Sequence, residues 1–342
     1  MPRRRRIWYN GPVTYDCFTF FNELDLLEIR LNTLKDVVDR FVMAEATRTH
    51  SGKPKELLFE LNRGRFAAFA DRISYVVVDD LLSEAEVARD PMRLPWVNEN
   101  RQRNALARGL RFANGEDVIM VSDLDEIPRP ESVRRAVELA ARGEVVRLEQ
   151  DVFMYYLNFK DYRNPRWSLG TVALSKKTLD TSKRLDAVRF DRYTVGSENS
   201  GRTVHKVRFL SPSRTLRHAG WHMTYMGGAE AIRRKMLSFA HHEALKPLDI
   251  VERRLARGEN VLNGAQDCFA VELDGSFPKY VLANRERFGR LIFPVTGEYL
   301  EATKTRRLVA AVRGAAYRCL VRLIPSFLER PLSALRRRLF FR

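Results

Sequence analysis

The chain has 342 residues, 45% of them hydrophobic, and a formal charge of +17, which is enough apolar material for one large globular domain or two smaller ones. No stretch reaches the ~20 uninterrupted apolar residues of a membrane-spanning helix, and the basic start MPRRRR lacks the apolar segment of a signal peptide. The three widely spaced cysteines, Cys17, Cys268 and Cys319, fit a reducing compartment better than a secreted disulfide scaffold and predict free thiols. We therefore expect a cytoplasmic protein.

The chain alternates strand and helix patterns up to about residue 145. Strands are predicted at 13–20, 39–46, 71–80 and 117–123. Helices are predicted at 23–34, 98–113 and 130–143. This alternation indicates an α/β fold with a mostly parallel sheet that is covered on both faces, and such sheets bind ligands at the carboxyl ends of their strands.

Strand patterns after residue 145 mix polar and aromatic residues. We interpret three segments as strands of a second, more open part of the same sheet: 145–159, 171–175 and 214–226. Two further helices are predicted at 227–245, after a glycine pair, and at 278–292. Residues 191–203 are predicted to form a mobile loop.

The positive charge is concentrated near the C-terminus. Ten arginines and one acid lie between Arg306 and Arg342. Helical spacing places an apolar stripe opposite arginines in this tail; the stripe contains Leu308, Val312, Ala316, Cys319, Leu320 and Leu323. Such a helix either lies on an anionic lipid surface or packs on the body through its stripe. The tail has no aromatic stacking platform and no recognised nucleic-acid module, so we expect no nucleic acid as a partner.

Three acids follow an apolar run in the segment DVIMVSDLDEIPRP: Asp123, Asp125 and Glu126. In extended backbone, side chains two apart point the same way, so Asp123 and Asp125 present two carboxylates to one point. Unpaired carboxylates this close repel, and a divalent cation such as Mg²⁺ or Mn²⁺ relieves the repulsion. An Asp after a strand also caps helices, but Pro128 and Pro130 delay the next helix, which favours the cation site. Glu126 is either a neighbour of that site or a partner of the helix dipole.

The run VSDLDEIPRP, preceded by NENRQRNALARGL and followed by AGWHMTYMGG, resembles glycosyltransferase family 17, the family of the β-1,4-mannosyl-glycoprotein β-1,4-N-acetylglucosaminyltransferases. The segments YDCFTFFNELDLLEIRLNTL and FVMAEATRTHSGKPKEL are also similar to that family, and the resemblance covers residues 14–295. It implies a GT-A (Rossmann-like) catalytic domain, a nucleotide-sugar donor such as UDP-GlcNAc, a divalent metal at the DxD, and transfer with inversion. The expected organisation is a basic N-terminal extension (1–12), the GT-A domain (13–300) and the basic tail (301–342).

The acceptor follows less directly from the resemblance. A glycan of secreted glycoproteins does not suit a chain expected in the cytoplasm, so we expect a saccharide or lipid-linked saccharide assembled on the cytoplasmic side. The basic tail would then place the protein on the inner face of an anionic membrane.

Several side chains are candidates for donor binding because they end predicted strands or lie on the helix before the DxD: Phe20, Asn22, Glu23, Glu45, Arg103, Asn104 and Asp123. Glu99 lies four residues before Arg103 and is either its orienting partner or half of a surface ion pair. His222 is a candidate third metal ligand or a packed core residue, with His241 as the competing candidate and His242 after it. Trp167, Trp221 and Tyr225 are candidates for a sugar platform or for the core.

Inversion requires a carboxylate that deprotonates the acceptor hydroxyl. The candidates are Asp151, Asp267 and, on the same predicted face as Asp151, Glu149. A DxD also follows an apolar strand in phosphohydrolases of the haloacid dehalogenase type, but that family has Thr or Val where Ile127 stands and carries its motif near the N-terminus. The remaining alternative is a non-enzymatic protein that binds nucleic acid or membranes through its basic tail.

Overall fold

Two β-sheets and the helices around them form the protein. The structure is a computed structural model, and it describes residues 11–182, 194–195, 204–205, 213–238, 247–256, 259–261 and 264–323. The predicted N-terminal extension up to residue 10, most of the predicted loop at 191–203, His241 and His242, and the tail after residue 323 lie outside the described residues.

The described strands and helices follow one another along the chain. The strands are β1 Thr14–Phe20, β2 Arg40–Ala46, β3 Ile73–Val78, β4 Val118–Asp123, β5 Glu126–Pro128, β6 Val145–Leu148, β7 Gln150–Met154, β8 Phe159–Asp161, β9 Arg166–Trp167, β10 Val172–Ser175, β11 Thr194–Val195, β12 Val204–His205, β13 Ser213–Leu216, β14 Gly220–Thr224 and β15 Cys268–Ala270. The α-helices are α1 Leu24–Leu34, α2 Leu58–Leu61, α3 Glu84–Val87, α4 Leu94–Ala105, α5 Pro130–Ala140, α6 Lys176–Ser182, α7 Gly228–Ser238, α8 Leu248–Ala256, α9 Lys279–Ala283 and α10 Gly297–Leu323. Short 3-10 helices span Arg63–Arg72, Leu106–Leu110 and Gly289–Leu291.

The central sheet has seven strands in the order β13-β6-β10-β4-β1-β2-β3. Strands β4, β1, β2 and β3 are parallel to one another, β13 is parallel to β6, and β10 is antiparallel to both of its neighbours. The predicted fold class, an α/β domain with a mixed, mostly parallel central sheet, is confirmed. The helices between β1 and β4 are the crossovers that parallel neighbours require.

The strands after residue 145 divide between two sheets, so the prediction that they extend a single sheet is wrong. Strands β6, β10 and β13 join the central sheet, whereas a second sheet has the order β15-β8-β7-β14-β5 with β9 beside β7. The chain leaves the first sheet at Glu149, whose backbone N–H and C=O bond to Leu216 and Ala219 between β13 and β14. Periodicity gives the faces of a strand but not its neighbours, so this change of sheet leaves no mark in the residue pattern.

Both faces of the central sheet are covered by apolar residues. On one face Phe18 and Phe20 pack in a cluster with α1 and α5, and on the other Cys17 packs with Leu106 and Leu110. A third cluster lies between the second sheet and helices α7 and α8. The DxD strand β4 lies between β1 and β10, so its carboxyl end opens next to that of β1.

Three predicted helices have different bounds in the structure. The helix predicted at 98–113 begins at Leu94, with Pro95 in its first turn, and changes to a 3-10 helix at Leu106. The helix predicted at 278–292 breaks into α9 and a 3-10 turn, because Asn284 adopts non-helical backbone angles after α9. The helix predicted at 227–245 is described as α7, and residues 239–246 lie outside the described residues.

The tail helix α10 contacts the body at Gly314 and Arg318 and not through its apolar stripe. Gly314 lies so close to the backbone of Arg163 that a Cβ at this position would collide with it, and Arg318 donates a hydrogen bond to the Arg163 carbonyl oxygen at 2.6 Å. Leu308 is 64% exposed and Val312 58%. The alternative in which the stripe packs on the body is therefore wrong for its described part; the side chains of Leu320 and Leu323 lie outside the described set.

Helix α10 begins before the expected boundary at residue 300 and continues through it, so domain and tail share one helix. None of the described helices combines the length and the apolar character needed to cross a membrane. All three cysteines are free, as predicted, with Cys17 and Cys268 buried and Cys319 exposed.

Candidate active site

A cleft opens at the carboxyl ends of β1, β2 and β4, where parallel sheets place their ligand sites. Strand β14 and helix α7 form its opposite wall. Its charged and imidazole-bearing lining residues are Glu23, Arg48, His50, Lys55, Glu99, Arg103, Asp123, Asp125, His222 and Lys235. The DxD acids, the predicted histidine and the predicted arginine therefore line one cleft.

Arg30, a fully buried residue of α1, binds the acidic turn between β4 and β5. Its guanidinium pairs with Asp16 through two hydrogen bonds of 2.8 and 2.6 Å and donates to Ser122 Oγ at 2.6 Å. It also donates to the carbonyl oxygens of Asp123 (2.9 Å), Leu124 and Glu126 (2.8 Å). Arg30 thus fixes the backbone that presents the two aspartates.

Glu126 has a structural role at this turn. It is fully buried, and its Oε2 accepts the backbone N–H of Asp123 at 3.0 Å while Oε1 accepts the indole N–H of Trp167 at 2.5 Å. Trp167 in turn lies against the His222 ring, with ring centroids 4.7 Å apart. Glu126 therefore connects the acidic turn to one wall of the cleft.

Asp123 and Asp125 have different cationic partners. Arg103 donates to Asp123 Oδ1 and to Glu99 Oε1, both at 3.0 Å, so the predicted pair of Arg103 and Glu99 forms inside the cleft. Asp125 Oδ2 accepts a hydrogen bond from Lys235 Nζ at 2.8 Å, and Asp125 Oδ1 lies 3.8 Å from His222 Nε2. Asp123 and Asp125 both line the cleft, together with the buried residue Leu124 between them.

The charges around Asp125 stabilise one another. Burial alone would raise the pKa of the Asp125 carboxyl, but Lys235 and His222 outweigh it and hold the pKa below its ordinary value. Burial would lower the pKa of Lys235, but Asp125 and Glu23 raise it above its ordinary value. Both side chains are therefore charged at neutral pH.

Lys235 is a charged site residue that the sequence prediction missed. It lies on α7 between the buried residues Ile232 and Met236, and its ammonium is 3.2 Å from Glu23 Oε1. A lysine on the apolar face of an amphipathic helix needs a buried counter-charge, and this pattern was available in the sequence. Gln102 was missed as well: it donates to the carbonyl oxygens of Phe20 and Ala44 and joins the ends of β1 and β2.

The predicted donor-binding residues occupy different places. Phe20 lines the cleft, whereas Asn22 and Asn104 are not among the lining residues. Glu45 is fully buried; it accepts hydrogen bonds from Lys55 Nζ, from Tyr75 Oη and from the two backbone N–H groups at the start of α2. Glu45 therefore neutralises Lys55 and holds the start of α2, and its oxygens are occupied by these contacts and not directed to a donor.

The structure does not bring the predicted catalytic bases to the cleft. Asp151 is paired in register with Trp221 and Val152 with His222, so Asp151 points to the sheet face opposite His222, where its Oδ1 accepts from His218 at 2.8 Å. Asp267 is buried before β15 and bonds to Arg163 at 3.1 Å. Glu149 lies 3.8 Å from Arg166 and is likewise not among the lining residues.

The three aromatic candidates separate in the same way. Trp167 and Tyr225 line the cleft. Trp221 belongs to the core on the opposite face, where the Arg129 guanidinium lies 4.2 Å from its ring.

The cleft suits an oxygen-preferring dication with open coordination positions. Among the described residues, no group of three His, Cys, Asp or Glu side chains lies close enough together to form a metal site by itself. Mg²⁺-type sites, however, use one or two carboxylates and keep positions for water and substrate phosphates. Asp125 Oδ1 and His222 Nε2 face each other at 3.8 Å, and Asp123 lines the same cleft. In this structure the Asp125 carboxylate is paired with the ammonium of Lys235.

Comparison with known proteins identifies the family to which the chain belongs. The profile of glycosyltransferase family 17 matches residues 6–190. The human β-1,4-mannosyl-glycoprotein 4-β-N-acetylglucosaminyltransferase is 27% identical over 302 residues, which is 79% of this chain and 53% of the relative; the rat protein of the same name has the same identity and coverage. The chain thus spans about half the length of these relatives. A crystal structure of S. aureus TarS 1–349 aligns with a TM-score of 0.34 and 11% identity, over 88% of this chain and 79% of that one. Since the profile matches more than half of its residues, the chain belongs to glycosyltransferase family 17.

Proposed function

We propose that this protein transfers a sugar, N-acetylglucosamine from UDP-GlcNAc, to a hydroxyl of a saccharide acceptor with inversion at the anomeric carbon. One observation carries the proposal: in a member of glycosyltransferase family 17, both DxD aspartates and two buried cationic side chains, Arg103 and Lys235, line one cleft at the strand ends. The curated relatives are named as N-acetylglucosaminyltransferases, which supports the choice of donor sugar.

Mn²⁺ or Mg²⁺ is the proposed cofactor, with Asp123, Asp125 and His222 as the residues that would hold it. Such a cation would neutralise the charge that develops on the departing diphosphate. Arg103 and Lys235 supply further positive charge in the same cleft, where burial strengthens its interactions. Trp167 and Tyr225 offer aromatic faces for a sugar ring.

We also propose a saccharide or lipid-linked saccharide as the acceptor, at the inner face of an anionic membrane and in the cytoplasm. Support comes from the exposed residues Leu308, Val309 and Val312 of α10, which we call the tail stripe. These apolar side chains lie among the arginines of a strongly basic tail, which is the composition of a helix that lies in a lipid interface.

The activity is tested by incubating the purified protein with Mn²⁺ and a panel of nucleotide sugars, and measuring nucleotide release with and without saccharide acceptors. We expect release from UDP-GlcNAc that EDTA abolishes, and a β-configured product by NMR from the α-configured donor. No release from any nucleotide sugar, or an α-configured product, would contradict the proposal.

The membrane contact is tested separately with vesicles. We expect the Leu308→Ser/Val312→Ser variant to bind phosphatidylserine vesicles on the order of tenfold more weakly, because it loses apolar area that would enter the lipid. The exposed neighbour Ala315→Ser is the matched control. Equal binding by both variants, or equal binding to uncharged vesicles, would exclude the tail stripe as an anionic membrane contact.

A further inference from the structure

Lys235 joins three parts of the cleft through one ammonium group. It reaches the cleft because α7 begins at the turn formed by Gly227 and Gly228, whose φ angles of +102° and +84° favour glycine. Its Nζ lies 2.8 Å from Asp125 on the acidic turn and 3.2 Å from Glu23 at the start of α1. The ring of Tyr225 is 5.7 Å away.

The Lys235 ammonium and its two acidic partners are largely shielded from water. The side chain is 10% exposed, and those of Asp125 and Glu23 are 9% and 13% exposed. A charge that has lost this much water depends on its partners, and removing one partner leaves the other uncompensated. Asp125 is therefore already neutralised by an ammonium of the protein itself.

The Asp125 carboxylate is also a proposed ligand of the divalent cation, so it has two possible cationic partners. A dication at Asp125 would compete with Lys235 for it. Glu23, which is not among the proposed ligands, would keep the ammonium in the cleft after such a displacement. The displaced charge would then be available to an anionic ligand.

Resting on the donor-metal site of the proposed function, we propose that Lys235 is an exchangeable counter-cation. It pairs with Asp125 while no metal is bound, and it turns to the diphosphate of the nucleotide donor when a divalent cation takes Asp125. The exchange makes metal and nucleotide binding cooperative: the ammonium weakens metal binding alone and strengthens nucleotide binding once the metal is present.

Lys235→Met tests the exchange because it removes the charge and keeps much of the side-chain volume. An opposite charge at this range shifts the proton affinity of a carboxylate by about 1–3 pKa units. By the same competition, we expect the variant to bind Mn²⁺ alone about tenfold more tightly and to bind UDP at saturating Mn²⁺ about tenfold more weakly.

The measurement is calorimetric titration of the full chain, first with MnCl₂ and then with UDP. Arg234→Met is the matched control, because Arg234 is exposed on the same helix and does not line the cleft. Lys235→Arg retains the charge and should restore the weaker Mn²⁺ binding. Lys235→Gln replaces the charged group by a neutral polar one and should give the same result as Lys235→Met. The two neutral variants together keep the test decisive if one of them folds poorly.

Opposite changes in Mn²⁺ and UDP affinity, absent from Arg234→Met, support the exchange. Mn²⁺ affinity that is equal or weaker in the neutral variants overturns it, as does unchanged UDP binding. If the wild-type protein itself binds neither Mn²⁺ nor UDP, the proposed function fails and the exchange fails with it. If the wild-type protein binds both Mn²⁺ and UDP and the Lys235 variants bind them with the same affinities, the exchange is excluded and the proposed function is not.

Discussion

Asp125→Asn is expected to lower both stability and turnover. In the absence of a partner, neutralising one of two neighbouring carboxylates would relieve repulsion. The structure reverses that expectation, because Asp125 is buried and its Oδ2 bonds to Lys235 at 2.8 Å. Removing one member of a buried ion pair costs about 3–5 kcal/mol, and Glu23, which remains 3.2 Å from the ammonium, holds the loss near the lower limit, about 3 kcal/mol.

The effect on catalysis should be larger than the effect on folding. The substitution removes a negative ligand from the proposed cation site, which should slow turnover on the order of 10²-fold or more. The assay combines urea unfolding of the metal-free protein with nucleotide release from UDP-GlcNAc. The double variant Asp125→Asn/Lys235→Met completes a mutant cycle, in which we expect a coupling of about 1–3 kcal/mol.

Two results would refute this reasoning. Wild-type stability of metal-free Asp125→Asn would show that the ion pair with Lys235 contributes nothing to folding. Near wild-type turnover would show that the carboxylate is not part of the donor site.

Three further expectations follow from other contacts. His222→Ala should raise the Mn²⁺ concentration required for activity far more than His241→Ala, and a larger effect of His241→Ala would exchange the two roles. Arg30→Lys cannot reproduce the forked hydrogen bonds under the acidic turn, so its free energy of unfolding in urea should fall by about 2–4 kcal/mol; an unchanged midpoint would contradict this support role. Burial raises the pKa of Asp161 to about 6, so its ionisation should cost stability as the pH rises from about 4 to 6, by up to about 3 kcal/mol. Asp161→Asn should therefore raise the melting temperature more at pH 7 than at pH 4, and an equal shift at both values would show that Asp161 is not the titrating group.

The local part of the structure follows from residue patterns. Strands β1, β2 and β4 lie within one residue of their predicted bounds, because each is rich in apolar and aromatic residues. The position of the acids at the end of β4 follows from the same pattern. The pair of Arg103 and Glu99 was available from helical spacing alone.

The remainder depends on contacts between segments far apart in the chain. Glu45 lies one residue before the end of β2, where a donor-binding residue could lie, but its oxygens accept hydrogen bonds from the first turn of α2 and from Lys55. Asp151 lies on the sheet face away from the cleft, whereas the next residue, Val152, lies on the same face as His222. The register with β14 decides which face each residue occupies. Lys235 reaches Asp125 across 110 residues, and no local pattern specifies that pairing.

Equilibrium binding of UDP with and without Mn²⁺ measures whether Asp125 belongs to a cation-dependent donor site. Asp180→Asn is the control, since Asp180 is an exposed acid on α6 outside the cleft. We expect Mn²⁺ to strengthen UDP binding by the wild-type protein and by Asp180→Asn, and we expect Asp125→Asn to lose this dependence. Mn²⁺-dependent UDP binding that persists unchanged in Asp125→Asn would contradict this expectation.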